Sequence, residues 1–593
     1  MLRLQKTFLG MMLLRLAILC IALASSRACR TGTETVASQD WWKTTTFYQI
    51  YPRSFMDSNG DGVGDLKGIT SKMEHIADAG AGAFWISPIY PSPMADFGYD
   101  IADFKDIDPV FGSLADFDDL VAKAKQLNLK VIMDFVPNHS SDKHEWFEKS
   151  VNRVDPYTNY YIWRDSKGVD ETGARLPPNN WISGFQGSAW EWNEQRGQFY
   201  YHMFHKGQPD LNYRDANLRK EMEAVLTFWI ERGVEGFRID AINHMFEDES
   251  LPDEPPSNRP DVPDGYYDSL SHIYTRDLNE TYDVLQSWRE LLDNYSANTN
   301  TDTKVIMTEG YASIDRVMDY YTHGSNIPFN FRFITDARNG TTAAQFKTLI
   351  DEWVEHMPTG YTANWVVGNH DQRRTGSRYG IDRVDQMSIV SALLPGVLVT
   401  YNGDEIGMLD GELSWEETVD PSACNTNEEI YEPYSRDPER TPFQWDATTS
   451  AGFSTSSTTW LPVNPNYLWL NLAAQQVQEH SHYHVYQAMT TLRKIPLLKR
   501  GDLTVTVMSS NVLAIVRSVA GIPPVIGLVN CGESPVTIPV ITTELDLMTV
   551  YTSSVDSGVV PGTNITTTSY QLPSAATVVL LSPKLYQIIK SSY

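Results

Sequence analysis

Eight short apolar runs recur between residues 47 and 401, and no other feature constrains the fold as tightly. They read FYQIY (47–51), AFWIS (83–87), KVIMDFV (130–136), EGFRIDA (235–241), KVIMTEG (304–310), IPFNF (327–331), NWVVGN (364–369) and VLVTY (397–401). Each is too short for a helix and rich in the β-branched and aromatic residues that suit a buried strand. The stretches between them, such as SLADFDDLVAKAKQLN and LRKEMEAVLTFWIERG, place apolar residues at helical spacing. Strand and helix alternating in this way predict an α/β fold, a parallel sheet closed as a (β/α)8 barrel. An open doubly wound sheet is the alternative, but no glycine fingerprint accompanies the strands.

Two connections break the rhythm. The segment 138–213, rich in Trp, Tyr, Asn and Gly, is far longer than an ordinary βα loop and predicts an inserted, loop-rich unit after the third strand. A second excursion runs from VTYNGDEIG through SRDPERTPFQW to about residue 470. The barrel is therefore expected over 41–137 and 214–500. From 501 to 593, alternating patterns such as LTVTVMSSNVLAIVRSV, broken by Gly, Pro and Ser, predict a separate antiparallel β domain.

The chain has 593 residues and a net charge of −28, which argues against nucleic acid and anionic membranes as partners. Arg3 and Lys6 precede the apolar run LAILCIALA (16–24), and Ala22-Leu23-Ala24 forms a small-residue cleavage pattern. A secretory leader over 1–24 and an extracellular protein are expected. Arg15 breaks the apolar stretch short of a bilayer span, so membrane attachment is not expected. Once Cys20 is assigned to the leader, Cys29, Cys424 and Cys531 remain, an odd set too sparse for a disulfide scaffold. The sequons at Asn279, Asn294, Asn339 and Asn564 are candidate glycan sites. No organic cofactor is expected.

In such a barrel, chemistry comes from the C-terminal ends of the strands. Those ends carry Asp134, Asn138 and His139; Arg238 and Asp240; Glu309; and Asn369, His370 and Asp371. Asn138 heads a further sequon, but its place among these residues predicts that it stays bare. Carboxylates within apolar runs are expensive to bury unless partnered, and clusters of them in clefts favour function. Ion pairs tying the barrel together would explain Asp134 alone but not the set. Arg238 and Asp240 are two residues apart, so strand alternation puts both on one face. The guanidinium would keep Asp240 ionised, as a nucleophile must be. Glu309 closes the apolar run VIMT, an environment that raises a carboxyl pKa towards the range a general acid needs.

The stretch DSNGDGVGDL (57–66) imitates a calcium loop. Asp57, Asn59, Asp61, the Val63 carbonyl and Asp65 fall at alternate ligand positions, with Gly62 at the sharp turn. Gly68 stands where a closing Glu belongs, and the preceding residues are strand-like rather than helical. A plain Asn/Gly turn without an ion is the other reading.

Taken in order, DFVPNH, GFRIDAINH, VIMTEG and VVGNHD resemble the four signature regions of the alpha-amylase family of glycoside hydrolases. QPDLN (208–212), GDLKGI (64–69) and SRDPERTPFQW resemble its oligo-1,6-glucosidase and maltase branch, and residues 40–590 look like the insect maltases, or alpha-glucosidases. The resemblance implies a retaining exo-glucosidase acting on disaccharides and short oligosaccharides, with Asp240 as nucleophile, Glu309 as acid/base and Asp371 as transition-state stabiliser. It implies a terminal-sugar subsite made by Tyr99, Asp100, His139, Arg238, His370 and Arg440, with Asp100 paired to Arg440. It also implies a structural calcium, with magnesium as the alternative, at 57–65. Ala241, after the nucleophile, occupies the position where small groups accompany α-1,4 linkages and Val accompanies α-1,6. The rival class is a non-catalytic relative serving as a transporter subunit or receptor, which typically has a membrane span and has lost catalytic acids.

Overall fold

The computed structural model describes residues 40–540 and 545–592; the expected leader and Cys29 lie outside them. Eight parallel strands form the central sheet: β1 (Thr46–Ile50), β2 (Ala83–Ile86), β3 (Lys130–Phe135), β4 (Gly236–Ile239), β5 (Val305–Thr308), β6 (Ile327–Pro328), β7 (Asn364–Val366) and β8 (Val397–Tyr401). Their order is β6-β5-β4-β3-β2-β1-β8-β7, so the sheet curls until β6 and β7 face each other. Strand alternation divides the core. Phe47, Trp85, Ile132 and Met307 pack together in one cluster, while their chain neighbours Tyr48, Phe84, Val131 and Ile306 belong to another.

The β6–β7 edge is closed by a side chain. Asn364 Nδ2 donates to the Pro328 carbonyl at 2.5 Å, and Asn364 Oδ1 accepts the Asn330 N–H at 2.8 Å. The IPFNF run yields only a two-residue strand, since Pro328 has no N–H to extend a ladder. Its aromatic remainder, Phe329 and Phe331, joins the cluster of Phe47 and Trp85.

The insert after β3 holds short elements, among them a three-stranded sheet of Trp163–Arg164, Gln198–Tyr201 and Trp190–Asn193. Trp181, Trp190 and Tyr201 give it a core of its own. The long loop after β4 is tied to it: Trp181 Nε1 donates to the Pro252 carbonyl and Asn180 Nδ2 to that of Glu254, both at 2.8 Å. The C-terminal domain is a six-stranded antiparallel sheet, ordered Asp502–Val507, Val512–Val519, Ile522–Asn530, Thr577–Leu581, Leu547–Ser553 and Asn564–Thr566. It packs on the helix Val384–Leu393, where a Cβ on Gly527 would come within 2.3 Å of Leu393 Cδ1. No helix among the described residues is long and apolar enough to cross a membrane.

Candidate active site

Strand register delivers the acids to one place. β3 and β4 set Asp134 beside Arg238, and β4 and β5 set Ile239 beside Thr308. Asp240 and Glu309 are thus the first residues past the ends of adjacent strands. Arg238 is buried between them. Its Nη1 donates to both oxygens of Asp134 at 2.8 and 2.9 Å and to Asp240 Oδ1 at 2.6 Å, while Nη2 donates to Glu309 Oε2. Three carboxyls share one guanidinium, so the cluster holds protons where isolated acids would not. Burial raises Asp134 and Asp240 to about 7 and Glu309 to about 8, with Arg238 pulling each of them back down.

Ala241 has a left-handed backbone, φ 44°, and its N–H points to Glu309 Oε2 at 3.3 Å. Its small side chain lines the cavity rather than packing in the barrel interior.

Asp371 follows β7. Burial works against its charge, but the Arg440 and Arg436 guanidiniums, with His370 Nε2 3.3 Å away, outweigh it and hold the carboxyl below the usual range. Arg440 donates from Nη2 to Asp371 Oδ1 at 2.8 Å and from Nε to the His370 carbonyl at 2.7 Å. The His370 ring stacks on Tyr99, with planes 6° apart and centroids 5.4 Å apart. Gln49 Nε2 lies 2.8 Å from Nδ1, and the Tyr99 hydroxyl lies 2.6 Å from Nε2 while donating to Asp134. That donor order puts the ring proton on Nε2. Burial drives His370 well below its ordinary pKa and His139 down to about 3, so both rings stay neutral near pH 7.

Around these groups lies a cavity of about 270 Å³. Asp96, Asp240, Glu309, Asp371 and Arg436 supply its charges, and Tyr99, Phe185, Phe204 and Tyr311 supply its rings. The mixture is that of a pocket in which a few fixed polar groups orient a ligand between apolar walls. Across one end Arg436 Nη2 donates to Asp96 Oδ1 at 2.8 Å and to Asp420 Oδ1 at 2.7 Å, and Gln208 Nε2 donates to Asp96 Oδ2 at 3.1 Å. An acid/carboxylate pair on a shared guanidinium, beside a pocket closed by an ion pair, suits attack on a glycosidic carbon. The catalytic-domain model of the alpha-amylase family matches residues 49–501.

The chain belongs to the alpha-amylase family. Maltase 1 of Drosophila virilis is 52% identical over 501 residues, covering 83% of this chain and 79% of that one. A salivary alpha-glucosidase of Anopheles gambiae is 45% identical over 557 residues, covering 91% and 93%. Among solved structures, the alpha-glucosyl transfer enzyme XgtA matches with a TM-score of 0.80 at 32% identity, over 91% of this chain and 99% of that one.

One sequence expectation for this alpha-amylase-family pocket needs correction. Asp100 does not pair with Arg440. The Asp100 carboxylate staples its own loop, accepting from Ser92 Oγ at 2.8 Å and from the Ala95 and Asp96 N–H groups at 2.9 and 3.0 Å. Arg440 lies under His370 and Asp371, as described above. The pair across the pocket is Asp96 with Arg436, each four residues before the partner expected. Phe185, Phe204 and Tyr311 were also missed. Nothing in their local patterns marks them, because they reach the cavity from the insert and from loops, whereas Gln208 opens the QPDLN motif and meets the site through Asp96.

His139 is buried beside the pocket, with Nε2 3.1 Å from both the Tyr99 carbonyl and Gln208 Nε2. Asn138 is buried and donates to Asp210 at 2.8 Å, out of reach of a glycan. Asn279, Asn294, Asn339 and Asn564 are all exposed, Asn294 within the helix Glu280–Thr299. Cys424 and Cys531 are free thiols.

The 57–65 loop forms a turn with its oxygens turned to N–H groups. Asp57 accepts from Asn59, Gly60 and Gly62 at 2.7–2.9 Å, Asp61 accepts from Val63 at 2.8 Å, and Asp65 caps the helix Leu66–Ser71 through Gly68 at 2.8 Å. Among the described residues, no three His, Cys, Asp or Glu side chains converge as a metal site. The expected set also counts the Asn59 side chain and the Val63 carbonyl, and Asn59 Nδ2 donates to Asp61 Oδ2 at 3.1 Å, which keeps these two exposed side chains together on the loop.

Proposed function

We propose that the chain is an exo-acting α-glucosidase, releasing terminal non-reducing α-1,4-linked glucose from maltose and short maltooligosaccharides and acting also on sucrose. The observation that carries this reading is the single Arg238 fork holding both Asp240 and Glu309 inside a pocket stopped by Asp96 and Arg436. Two carboxyls on one fork sit close together, the condition for retention rather than inversion, which needs a gap for water. Asp240 attacks the anomeric carbon while Glu309 gives its proton to the departing sugar oxygen. A β-glucosyl ester forms on Asp240. Glu309, now a base, takes a proton from water, whose oxygen displaces Asp240 and leaves α-glucose. Asp371, kept anionic, binds sugar hydroxyls and balances the positive charge that develops on the ring.

The same proposal includes secretion, supported by the apolar run at 16–24 and by the salivary relative. It also includes a structural divalent cation, calcium or magnesium, at 57–65, supported by the oxygen-only ligand order. Glucose release from maltose, sucrose, isomaltose and starch, compared side by side, tests the activity. Initial product from maltose should be α-glucose by NMR; an initial β anomer, or starch preferred over maltose, would overturn the reading.

A further inference from the structure

Gln49 is fully buried near the C-terminal end of β1, its backbone laddered on both sides, opposite Trp85 and Tyr401. It lies behind the pocket lining rather than in it. Its amide nitrogen is 2.8 Å from His370 Nδ1 and 3.4 Å from Ser87 Oγ. Gln49 Oε1 has no partner among the described residues, so those two contacts alone orient the amide. Tyr51, two residues on, lays its ring on that of His370, with centroids 5.3 Å and planes 24° apart. β1, which supplies no acid, thus holds the His370 ring by edge and by face.

We propose that Gln49 is a positioning residue: its amide fixes the tautomer of His370 and so sets the direction of a buried hydrogen-bond chain that runs through Tyr99 to Asp134. The inference rests on the α-glucosidase reading and adds to it a residue that touches no sugar. A ring nitrogen that accepts from Gln49 carries no proton, so the other nitrogen must carry it. His370 Nε2–H then donates to the Tyr99 oxygen at 2.6 Å, and the Tyr99 hydroxyl donates onward to Asp134 Oδ2 at 3.2 Å. Asp134 is the carboxyl that shares Arg238 with Asp240 and Glu309. Turning the amide over reverses every link. Nδ1–H would donate to Gln49 Oε1, the Tyr99 hydroxyl would donate to Nε2, and Asp134 would lose a donor. A lone pair on Nε2 would also face Asp371 Oδ2, 3.3 Å away, where an N–H had stood. Gln49, His370, Tyr99 and Asp134 are all buried, so the amide rather than bulk water decides between the two arrangements.

Neutron diffraction from the deuterium-exchanged whole enzyme tests the tautomer without any substitution. Deuterium should stand on His370 Nε2 and not on Nδ1, with the Gln49 amide nitrogen facing the ring; deuterium on Nδ1 would overturn the proposal. Gln49→Leu removes the donor at similar size, and should lower kcat/KM on maltose by about tenfold, near the upper worth of one neutral hydrogen bond. Gln49→Glu separates this role from plain packing. While protonated, the introduced carboxyl donates to Nδ1 as the amide does; once ionised, it draws the ring proton to Nδ1. The charged groups around the ring, Asp371, Arg440, Arg238 and Arg436, are the same in both proteins. Gln49→Glu should therefore keep activity at low pH and lose it, as pH rises, before wild type does. A pH profile parallel to that of wild type, or full maltose activity in both variants, would overturn the proposal. Absence of maltose hydrolysis by wild type would overturn the α-glucosidase reading instead, and the deuterium positions would still judge Gln49.

Discussion

Arg436 donates to Asp96 at 2.8 Å, joining loops 340 positions apart in the chain in the wall of the pocket. Asp96 is buried and Arg436 partly so; removing Arg436 leaves Asp96 only the Gln208 amide, whereas removing Asp96 leaves Arg436 on Asp420 with one acceptor lost. Truncating one partner of a buried, hydrogen-bonded charge pair costs about 2–5 kcal/mol where the pair holds a ligand. Asp96→Ala and Arg436→Ala should each cut kcat/KM on maltose by at least about tenfold, whereas Asp100→Ala should act on the fold. That last variant leaves three loop donors without their acceptor and should lower Tm while KM moves little. Steady-state kinetics with thermal melts separates the cases, and a larger kinetic loss for Asp100→Ala than for Asp96→Ala would restore the pairing first expected.

Asp240→Asn keeps shape but removes the nucleophile's charge, and should abolish turnover with an unchanged melting profile. Glu309→Gln should be as severe on maltose, yet its first step should recover on a substrate whose leaving group departs without a proton. Near-normal maltose hydrolysis by Asp240→Asn would end the retaining assignment.

The pH profile follows from the same cluster. Glu309 works as an acid only while protonated, and burial raises its pKa to about 8 against the pull of Arg238. Activity governed by this group is present below that value and lost as pH rises through it. The macroscopic value belongs to the coupled Asp240–Glu309 pair. kcat/KM on maltose should therefore decline above about pH 8, and with the activated substrate Glu309→Gln should show no such limb. A decline that begins below pH 6 would contradict the proton's placement on Glu309.

Stripping divalent ions with a chelator should lower Tm, and adding calcium back should restore it, with one ion per chain by metal analysis. A cation at a hundredfold excess over its dissociation constant stabilises the native state by about 2.7 kcal/mol. Asp61→Ala should remove the calcium response without altering maltose kinetics. An identical Tm with and without chelator would leave the 57–65 segment as a turn held by its own N–H groups.

Ala241 lines the cavity, and Val there should raise the isomaltose-to-maltose ratio of kcat/KM by about 10–200-fold at most. Its left-handed backbone adds strain for a β-branched residue, so Tm should also fall. The ratio is independent of that loss, and an unchanged ratio would refute the linkage assignment.

The barrel and its acids were legible in the sequence because each rests on a local pattern. Apolar runs bounded by helical stretches mark strands, and the two-residue spacing of Arg238 and Asp240 fixes their shared face. The pocket's closure was not legible in the same way. Asp96 and Asp100 lie in one loop, Arg436 and Arg440 in one segment, and only the turn geometry decides which carboxylate staples the loop and which faces the sugar. Phe185 and Phe204 come from the insert, whose course depends on its packing against the barrel, and Tyr311 is held by Phe331 and Asn369 from two other barrel loops.

Asn364 joins β6 to β7 with two side-chain hydrogen bonds, where the other neighbours in the barrel share backbone ladders. Cooperativity around the ring is therefore uneven, and the molecule has a designated place to breathe. Local opening at that joint exposes two buried backbone groups, at about 1–3 kcal/mol each, instead of a whole strand interface. Amide exchange should accordingly be fastest, within the barrel, at Ile327–Phe331 and Asn364–Val366, and Asn364→Leu should speed it there before global unfolding is affected. Uniform protection across all eight strands would contradict this. Because the loop after β6 carries Phe331, the partner of Tyr311, such breathing would be felt at the mouth of the pocket as a rate of sugar entry and departure, without moving Asp240 or Glu309.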